Sequence, residues 1–551
     1  MECNHLYTEK GEALNGSYST VYPRPQLKRD SFLPLDGIWD FYIGKQKRKI
    51  LVPFCPESLL SGINETIADG EILCYERSFT LPCGFNKGRV ILNFGAVDQK
   101  CILLINGREV GSHTGGYDAF SFDITRFLEQ ENRITLFVTD SLKDTNLPYG
   151  KQKQKRGGMW YTPVSGIWQS VWLESVPENY IKSLKISVTL DTAKITFDGI
   201  KDGSVIMDEN TYSIVDGVAQ IKVKNPINWT PENPHLYYFT AVSGEDKIES
   251  YFALRTLSIS RNKLLLNEKP YFFHGLLDQG YFSDGIYTPA HVSEYKEDIL
   301  KMKSLGFNML RKHIKVEPEM FYYYCDTLGM AVFQDMVNNG KYSFIRDTAL
   351  PTIGLQRHND KHIHRRKEQR QAFISGMEKT VGQLYNHPSI CQWTIFNEGW
   401  GQFCADSMYH KMKELDSSRF IDSASGWFKV RNNDFDSEHI YFKKLRVKKN
   451  KKPVFISEFG GFSYKIPEHS FNNEKTYGYG KFQSREEFVK AFCNLYENQI
   501  LPLKEKGLCA AVYTQISDVE DETNGLLTYD RKITKIKPEE FAHISEKIKN
   551  I

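Results

Sequence analysis

From about residue 258 to the C-terminus, short apolar segments alternate with longer amphipathic segments of helical period. The apolar segments are typical of buried parallel strands, and the amphipathic segments are typical of helices that cover a sheet. Eight strands in such alternation form either a closed (β/α)8 barrel or an open doubly wound sheet. The open sheet uses a glycine-rich turn to bind phosphate, and no predicted strand here is followed by one. The pattern therefore favours the barrel.

The predicted barrel elements can be placed along the chain. The strands are predicted at YFFHGLLD, FNMLRKH, MAVFQDM, SICQWTIFNE, RFIDSAS, DSEHIYF, KPVFISEFGG and LCAAVYTQISD. Helices are predicted near 291–304, 317–328, 368–386, 404–416, 484–505 and 538–549, and helical periodicity is weak after the fifth and sixth strands. The connection over about 338–366 is long, and long connections are often functional. We therefore expect it to shape the mouth of a pocket, with Tyr342 and Phe344 as its apolar contacts.

The first 257 residues show almost no helical periodicity and are rich in short β-branched and aromatic runs. In the first part, Asn106-Gly107 lies between two such runs, which is a strong hairpin signal. We predict a jelly-roll β-sandwich over residues 1–176 and an immunoglobulin-like β-sandwich over 177–257. The (β/α)8 barrel then occupies 258–551, so the chain is a multidomain protein.

Composition excludes several classes of function. A net charge of +3 is too small to indicate nucleic-acid binding, and no apolar run approaches the ~20 residues of a membrane span. The ten cysteines lack CxxC spacing, which is typical of reduced thiols, and the N-terminal stretch lacks the apolar core of a secretion signal. We therefore expect a cytoplasmic protein with no nucleic-acid or membrane partner, and we leave a homo-oligomer open.

Two glutamates end predicted barrel strands. Glu398 ends the fourth strand and Glu458 ends the seventh, and catalytic groups of such barrels lie at these carboxyl ends. Two glutamates that face each other across the barrel mouth form the arrangement used in glycoside hydrolysis. An alternative is a pair of salt-bridged rim residues, because rim ion pairs are common.

Several segments together resemble glycoside hydrolase family 2. They are NEG after the fourth strand, SEFGG at the seventh, SGIWQSVWLE at the end of the first sandwich and DILKMKSLGFNMLRKH before and within the second strand. The order of jelly roll, immunoglobulin-like sandwich and barrel is also similar, and the resemblance covers nearly the whole chain. It implies a retaining exo-acting β-glycosidase that takes a carbohydrate or glycoside substrate.

The resemblance also implies roles for individual residues. Glu398 is expected to be the acid/base and Glu458 the nucleophile, with their carboxyl groups about 5–5.5 Å apart. Asn397 matches an amide that contacts the sugar 2-hydroxyl. Arg311 resembles an arginine that keeps the nucleophile ionised, and a structural ion pair is the alternative. Tyr441 matches a tyrosine that hydrogen-bonds the nucleophile, and a core tyrosine is the alternative.

Other substrate-binding candidates are less closely matched to the family. His313 lies near a family histidine, although the spacing in RKHIKVEP differs. Asp278 is expected to bind sugar hydroxyls or to cap a turn, and Tyr513 stands where the family often has tryptophan. Three further candidates are expected to line the pocket or meet the aglycone: Trp160, Trp400 and Gln402.

The sequence predicts no metal site and no cofactor. It has no GxSxG nucleophile turn and no HExxH zinc motif, and His358, His362 and His364 have no spacing typical of a metal site. Chemistry by two carboxylates requires no cofactor.

The sugar is predicted from one further segment. Family β-glucuronidases resemble one another in an Asn-x-Lys motif that reads the substrate carboxylate, and the matching place here is Glu522-Thr523-Asn524. An acid would repel a uronic acid, so we expect a neutral sugar, with β-galactoside first and β-glucoside or β-mannoside next. A Lys or Arg from elsewhere, such as Arg531 or Lys532, would favour a β-glucuronide instead.

Two alternatives of a different class stay open at this point. The first is a carbohydrate-binding protein with an inactive barrel, which the presence of both glutamates disfavours. The second is a mutase or transglycosylase on the same scaffold.

Overall fold

The computed structural model describes residues 3–350, 355, 360–441, 443–447 and 451–550. The fold class predicted from the sequence is confirmed: two β-sandwiches precede an eight-stranded parallel barrel. A short helix, α1 (Glu9–Glu12), comes before the first sandwich. Within the described residues, no helix is long and apolar enough to cross a membrane.

The first sandwich packs a four-stranded sheet, in the order β1-β12-β5-β9, on a six-stranded sheet, in the order β3-β2-β4-β10-β7-β8. Alternate side chains point into the core, as the burial of β10 illustrates, because neighbouring strand residues face opposite sides. The strands are β1 (Phe32–Pro34), β2 (Gly37–Ile43), β3 (Gln46–Val52), β4 (Ile72–Phe79), β5 (Arg89–Phe94), β6 (Val97–Asp98), β7 (Lys100–Ile105), β8 (Arg108–Thr114), β9 (Phe120–Asp123), β10 (Asn132–Thr139), β11 (Gly166–Ile167) and β12 (Val171–Val176).

The predicted hairpin at Asn106-Gly107 joins β7 to β8. Both residues have positive φ angles, 52° and 76°, which a tight two-residue hairpin turn requires. Asparagine and glycine are the residues that tolerate this conformation best, so the sequence determines the turn.

The second sandwich packs a three-stranded sheet, in the order β13-β14-β17, on a four-stranded sheet, in the order β16-β15-β18-β19. A small three-stranded sheet, β20-β21-β22, connects it to the barrel. The strands are β13 (Ser183–Val188), β14 (Thr192–Asp198), β15 (Gly203–Met207), β16 (Asn210–Ile214), β17 (Val218–Lys222), β18 (Tyr237–Ser243), β19 (Asp246–Phe252), β20 (Leu257–Ser260), β21 (Lys263–Leu266) and β22 (Lys269–Pro270).

The eight barrel strands pair in parallel in the order β27-β26-β25-β24-β23-β32-β29-β28. Together they form an almost closed barrel. Between the described residues of β27 and β28, which are the fifth and sixth barrel strands, no pairing is found. The barrel strands are β23 (Phe273–Asp278), β24 (Met309–Lys312), β25 (Ala331–Asp335), β26 (Ile390–Asn397), β27 (Phe420–Ser425), β28 (Asp436–Ile440), β29 (Val454–Gly460) and β32 (Leu508–Thr514), and a small two-stranded sheet pairs β30 (Phe462–Tyr464) with β31 (Tyr479–Phe482).

The barrel helices lie close to their predicted positions. They are α2 (Ser293–Ser304), α3 (Glu319–Leu328), α4 (Lys367–Leu384), α5 (Ala405–Leu415), α6 (Arg485–Leu495), α7 (Leu501–Glu505) and α8 (Pro538–Asn550). A single π-helical segment, Tyr496–Ile500, separates α6 from α7, so the predicted helix over 484–505 contains an irregular turn. In the described parts of the connections after β27 and β28 there is no helix, in line with the weak periodicity there.

Apolar side chains close the barrel interior at the end opposite the strand carboxyl ends. Phe273, Phe333 and Phe455 pack together there with Leu264 from the small connecting sheet. This plug leaves the carboxyl ends of the strands as the mouth of the barrel.

Candidate active site

Glu398 and Glu458 face each other at the barrel mouth. Glu398 directly follows β26, and Glu458 lies near the end of β29. One oxygen of each carboxylate and the Nδ1 of His439 lie within 4.8 Å of one another. Retaining glycosidases hold their two carboxyl groups about 5–5.5 Å apart, whereas inverting enzymes leave room for a water molecule at about 6.5–9.5 Å. The two carboxylates therefore approach each other closely, and the predicted separation of about 5–5.5 Å between the carboxyl groups stays a prediction.

The backbone at Glu398 turns sharply away from the strand. Glu398 has a φ angle of 53°, and Gly399 follows it at 73°. A glutamate in this left-handed region is uncommon and costs conformational energy, so surrounding contacts must hold it there. The Glu398 amide donates to the carbonyl of Ser425 at 3.0 Å, which ties the turn to the end of β27.

Arg311 at the end of β24 links several groups of the site. Its guanidinium donates to Glu458 at 3.1 Å, to Asp335 at 3.0 Å and to the Asn397 side-chain oxygen at 2.8 Å. Arg311 is fully buried, so these charge-assisted bonds act with little screening by solvent. The arginine therefore holds Glu458, the Asn397 amide and Asp335 of the next strand in one arrangement.

Asp335 and His313 form a second buried pair beside Arg311. The Nδ1 of His313 lies 2.7 Å from Asp335 Oδ2, while Asp335 Oδ1 accepts from Arg311. Burial raises the pKa of Asp335, but the charge of Arg311 and the contacts with His313 outweigh burial, and the pKa lies below its usual value. Burial holds the pKa of His313 below its ordinary value.

Tyr441 follows β28 and contacts Glu458. Its hydroxyl donates to Oε2 of Glu458 and lies 3.0 Å from the hydroxyl of Thr514 at the end of β32. Its ring stacks on Tyr479 with ring centroids 4.1 Å apart. The hydroxyl bond therefore orients one oxygen of Glu458. The ring contact with Tyr479 of β31 holds the Tyr441 side chain in place.

His439 contacts both carboxylates and was absent from our sequence-based candidates. Its Nδ1 lies 2.8 Å from Glu398 Oε1 and 3.4 Å from Glu458 Oε2. Its Nε2 lies 3.4 Å from Arg311 Nη1, and arginine can only donate, so Nε2 is the acceptor and Nδ1 carries the proton. The only available signal was its position two residues before Tyr441, on the same face of the strand.

The protonation state of Glu458 follows from its surroundings. Burial raises the pKa of Glu458, but the interaction with His439 and the charge of Arg311 outweigh burial, so the pKa lies below its usual value. The lowered pKa favours an ionised carboxylate, which Arg311, Tyr441 and His439 all contact. Glu398 is more open to solvent, with 18% of its side chain exposed against 6% for Glu458, so it can exchange protons with water.

Three family models match consecutive parts of this chain. The TIM barrel domain of glycosyl hydrolases family 2 matches residues 257–535, and the sugar binding domain of that family matches 63–177. A third model, described as glycosyl hydrolases family 2, matches residues 174–255. The chain belongs to glycosyl hydrolase family 2.

Family 2 relatives include proteins of more than one specificity. A β-glucuronidase from Felis catus is 23% identical over 78% of this chain and 72% of that protein. A β-galactosidase from Aeromonas hydrophila is 27% identical over 64% of this chain and 36% of that protein. The structure of a β-D-glucuronidase from Dictyoglomus thermophilum has a TM-score of 0.74 at 18% identity, covering 97% of this chain and 99% of that one, which shows the shared fold.

Tyr513 and Asp278, which we expected to contact substrate, contact other parts of the protein instead. Tyr513 is fully buried, accepts a hydrogen bond from the Phe462 amide and packs on Phe459 and Phe492. It points away from the barrel axis because neighbouring strand residues alternate, and Thr514 takes the inward place. The expectation of a sugar-stacking ring at Tyr513 is therefore wrong.

Asp278 is engaged in structural contacts. One of its oxygens accepts from the Gly280 amide at 2.9 Å, and the other forms an ion pair with Lys312 at 2.7 Å. Lys312 also pairs with the buried Glu317. The turn-capping alternative for Asp278 describes these contacts, and the expected hydroxyl-binding role does not.

The aromatic candidates form one cluster, which we call the aromatic wall, from Trp160, Trp400 and Tyr342. Trp160 lies 5.0 Å from Trp400 and 5.1 Å from Tyr342 between ring centroids, both in edge-to-face geometry. Because Trp400 follows Glu398 by two residues, this wall stands beside Glu398 at the barrel mouth. Gln402 instead is buried and donates to Asp360 at 3.1 Å.

The long connection after β25 contributes Tyr342 to the aromatic wall, while Phe344 is 64% exposed. The Trp400 indole donates to the carbonyl of Gly340 at 2.9 Å, so the start of this connection lies at the strand carboxyl ends, as predicted. Residues 351–354 and 356–359, including His358, lie outside the described residues.

Glu398, Glu458 and His439 are also side chains of the types that bind metal ions. A cation held by all three would occupy the space between the carboxylates, where the anomeric carbon of a substrate must lie. In contrast, His364 accepts from Gln369 at 3.0 Å, a contact within its own segment.

Proposed function

We propose that this protein is a retaining exo-β-glycosidase that acts by double displacement. The observation that carries the proposal is the approach of Glu398 and Glu458 within 4.8 Å, with Arg311 and Tyr441 bonded to Glu458 alone of the two. One carboxylate is buried, oriented and ionised, and the other is partly open to solvent. This asymmetry supports Glu458 as the nucleophile and Glu398 as the acid/base.

In the first step, Glu458 attacks the anomeric carbon while Glu398 donates its proton to the glycosidic oxygen. The bond to the aglycone breaks, and an α-linked glycosyl ester forms on Glu458. In the second step, Glu398, now a carboxylate, removes a proton from water, which attacks the same carbon. The ester bond breaks, Glu458 is released and the sugar leaves with its original β configuration.

The other site residues support these steps. Asn397 is held by Arg311 at the end of the acid/base strand, where its amide can donate to the sugar 2-hydroxyl. His439 donates to Glu398 and lies near Glu458, so it can follow the negative charge from the nucleophile to the acid/base as the ester forms.

The exo mode is supported by the walls of the site. The first sandwich contributes a loop at the barrel mouth, since the Tyr149 amide donates to the Asn338 carbonyl at 3.1 Å. The loop after β32 contributes the buried Glu522, which lies close enough to Glu458 for the two acids to repel each other. A pocket closed on this side accepts the end of a saccharide and excludes the middle of a chain.

The balance of charge around the carboxylates supports a neutral sugar. Arg311 and the buried Lys151 bring positive charge, while Glu458 and Asp335 bring negative charge. Glu522 is a further acid, whose pKa burial raises to about 7. A uronic acid would add another negative charge to a site in which Arg311 is already paired with Asp335 and Glu458.

We therefore propose a terminal β-linked neutral hexose, with β-galactoside first and β-glucoside or β-mannoside next. The names of the relatives include both β-galactosidase and β-glucuronidase, so a β-glucuronide is the alternative to test. The cations named from sequence do not supply a uronate site, because Arg531 donates to the Tyr281 carbonyl and Lys532 pairs with Glu12. A cytoplasmic location and a homo-oligomeric state stay predictions.

The experiment is a panel of nitrophenyl β-glycosides at equal concentration, with the galactoside, glucoside, mannoside and glucuronide in parallel. We expect the fastest release from a neutral sugar. Proton NMR of the first product from that substrate should show the β-anomer before mutarotation. A faster glucuronide would overturn the neutral sugar, and an initial α-anomer would overturn the retaining mechanism.

A further inference from the structure

A crevice lies between the second sandwich and the barrel. It has a volume of about 330 Å³ and is lined by β13, the connection after β19, the segment after α4 and the turn before β27. A cavity of this volume is large enough for a small organic molecule. Among the described residues that line it, the charged side chains are those of Arg255 and Arg419.

Arg255 is buried in the wall of this crevice and has no acidic partner. It is 6% exposed, and among the described residues no carboxylate lies within 4.0 Å of its guanidinium. Its Nε donates to the Pro388 carbonyl at 2.6 Å, and its Nη2 donates to the Ile390 carbonyl at 2.7 Å. Neutral carbonyls accept hydrogen bonds but do not neutralise the charge, and a buried charge is normally paired. The guanidinium therefore lacks a direct counter-charge.

A second arginine lies beside Arg255. The Nε of Arg419 donates to the same Ile390 oxygen at 2.8 Å, so this nitrogen and Nη2 of Arg255 lie within 5.5 Å of each other. Arg419 forms an ion pair with Asp416 at 2.7 Å, which compensates its charge. Burial and the neighbouring Arg419 lower the pKa of Arg255 to about 10, so Arg255 is still charged at neutral pH. The crevice therefore has one uncompensated positive charge in its wall.

Two hydrogen-bond donors of the crevice have no partner among the described residues. They are Nη1 of Arg255, which bonds only through Nε and Nη2, and the hydroxyl of Thr256, which is buried. Contacts between the two domains fix the crevice beside them. The Ile186 amide donates to the side-chain oxygen of Asn386 at 2.8 Å, and the Asn386 side chain donates to the Leu184 carbonyl at 2.9 Å. The two donors are therefore held in a framework that is already formed.

We propose that this crevice binds the phosphate group of a small phosphorylated molecule. Nη1 of Arg255 donates to one phosphate oxygen, the Thr256 hydroxyl donates to another, and the anion supplies the missing counter-charge. A phosphate group presents three terminal oxygens in a tetrahedral arrangement, whereas a planar carboxylate presents two. The rest of the molecule occupies the remaining volume of the crevice.

This binding site is separate from the barrel mouth. The two arginines bond to Ile390, which begins β26, and Glu398 follows the other end of that strand. A strand of eight residues spans about 25 Å. A ligand in the crevice therefore does not occupy the space between Glu398 and Glu458, and this inference does not depend on the proposed glycosidase function.

The test measures the binding of inorganic phosphate, phenyl phosphate and benzoate by isothermal titration calorimetry at pH 7 and constant ionic strength. These probes contain no sugar. Arg255→Lys keeps the charge and removes the forked donor, and Thr256→Val keeps the size and removes the hydroxyl. Arg126→Lys is the matched control, since Arg126 lies exposed in the first sandwich. Circular dichroism verifies that each variant is folded.

We expect the wild type to bind one phenyl phosphate per chain, and to bind benzoate at least about 10-fold more weakly. Affinity for phenyl phosphate should fall about 10-fold to 100-fold in Arg255→Lys and in Thr256→Val, as for the loss of a hydrogen bond to a charged group, and stay unchanged in Arg126→Lys. If Arg255→Lys does not fold, Thr256→Val decides.

Three results would overturn the inference. The first is a wild type that shows no saturable binding of either phosphate, and the second is wild-type affinity in folded Thr256→Val. The third is benzoate bound as tightly as phenyl phosphate, which would overturn the assignment of a phosphate group. Each of these results leaves the proposed glycosidase function intact, because hydrolysis of nitrophenyl glycosides is measured separately.

Discussion

The Nδ1 of His439 lies 2.8 Å from Oε1 of Glu398, at the carboxyl ends of two different barrel strands. The same atom lies 3.4 Å from the nearer oxygen of Glu458, and the imidazole is fully buried. One proton donor is therefore shared between the two carboxylates, of which Glu458 is charged before the proposed ester forms and Glu398 is charged afterwards. Such a donor stabilises whichever carboxylate is charged at each stage.

Replacing His439 by Phe should lower kcat/KM about 10-fold to 100-fold, since a buried bond to a charged group is lost. The interaction with His439 helps to hold the pKa of Glu458 below its usual value. Without it, that pKa rises, so Glu458 becomes protonated at a higher pH and activity is lost earlier on acidification. The acid limb of the kcat/KM profile should therefore move to higher pH.

Two comparisons make the His439 prediction specific. His439→Gln retains a donor and should recover part of the activity, while the exposed His543→Phe should leave the profile unchanged. An acid limb at the wild-type position in active His439→Phe would show that the histidine does not act on the nucleophile.

Replacing Glu398 by Ala should affect substrates according to their leaving groups. A nitrophenolate departs with little protonation, whereas an alkoxide needs a proton from the acid. We expect kcat/KM to fall at least about 100-fold further for a methyl glycoside than for the nitrophenyl glycoside of the same sugar. Equal losses on the two substrates, measured by product release, would contradict the acid role of Glu398.

A buried ion-pair network joins the two sandwiches and supplies a prediction about stability. Arg29 forms ion pairs with Asp246 of β19 at 2.9 Å and with Glu174 of β12 at 3.3 Å, and all three side chains are buried. Arg29→Ala leaves Asp246 without its cation, so the free energy of unfolding should fall by about 3–5 kcal/mol.

The neighbouring Lys28 provides the control for this prediction. Its ion pair with Glu249 is about half exposed on both sides, so Lys28→Ala should cost less than about 1 kcal/mol. Urea unfolding monitored by fluorescence compares the variants. Similar midpoints for Arg29→Ala and Lys28→Ala would show that the buried network contributes little.

The barrel and its two glutamates were predictable because both depend on local sequence. Apolar strands alternate with amphipathic helices, and Glu398 and Glu458 stand where those strands end. The side of a strand on which a residue lies is harder to predict at its terminus. If the inward-facing position is misplaced by one residue, Tyr513 is predicted where Thr514 lies. The Tyr513 ring instead packs against Phe492 of α6.

The residues that the sequence did not indicate are joined only through tertiary structure. Asp335 accepts from Arg311, which is 24 residues away in the sequence, and His439 contacts Glu398 across 41 residues. Neither residue belongs to a local motif. Their contacts follow from neighbours that the fold alone supplies.

The central claim is that Glu458 forms a covalent glycosyl ester, and trapping that ester tests it most directly. A 2-deoxy-2-fluoro glycoside of the preferred sugar with a good leaving group slows hydrolysis of the ester more than its formation, so the intermediate accumulates. Mass spectrometry of the digested protein should show one added fluorosugar on the peptide that contains Glu458, and none in Glu458→Gln. An adduct on Glu398, or an active enzyme that releases the leaving group without any adduct, would contradict the account.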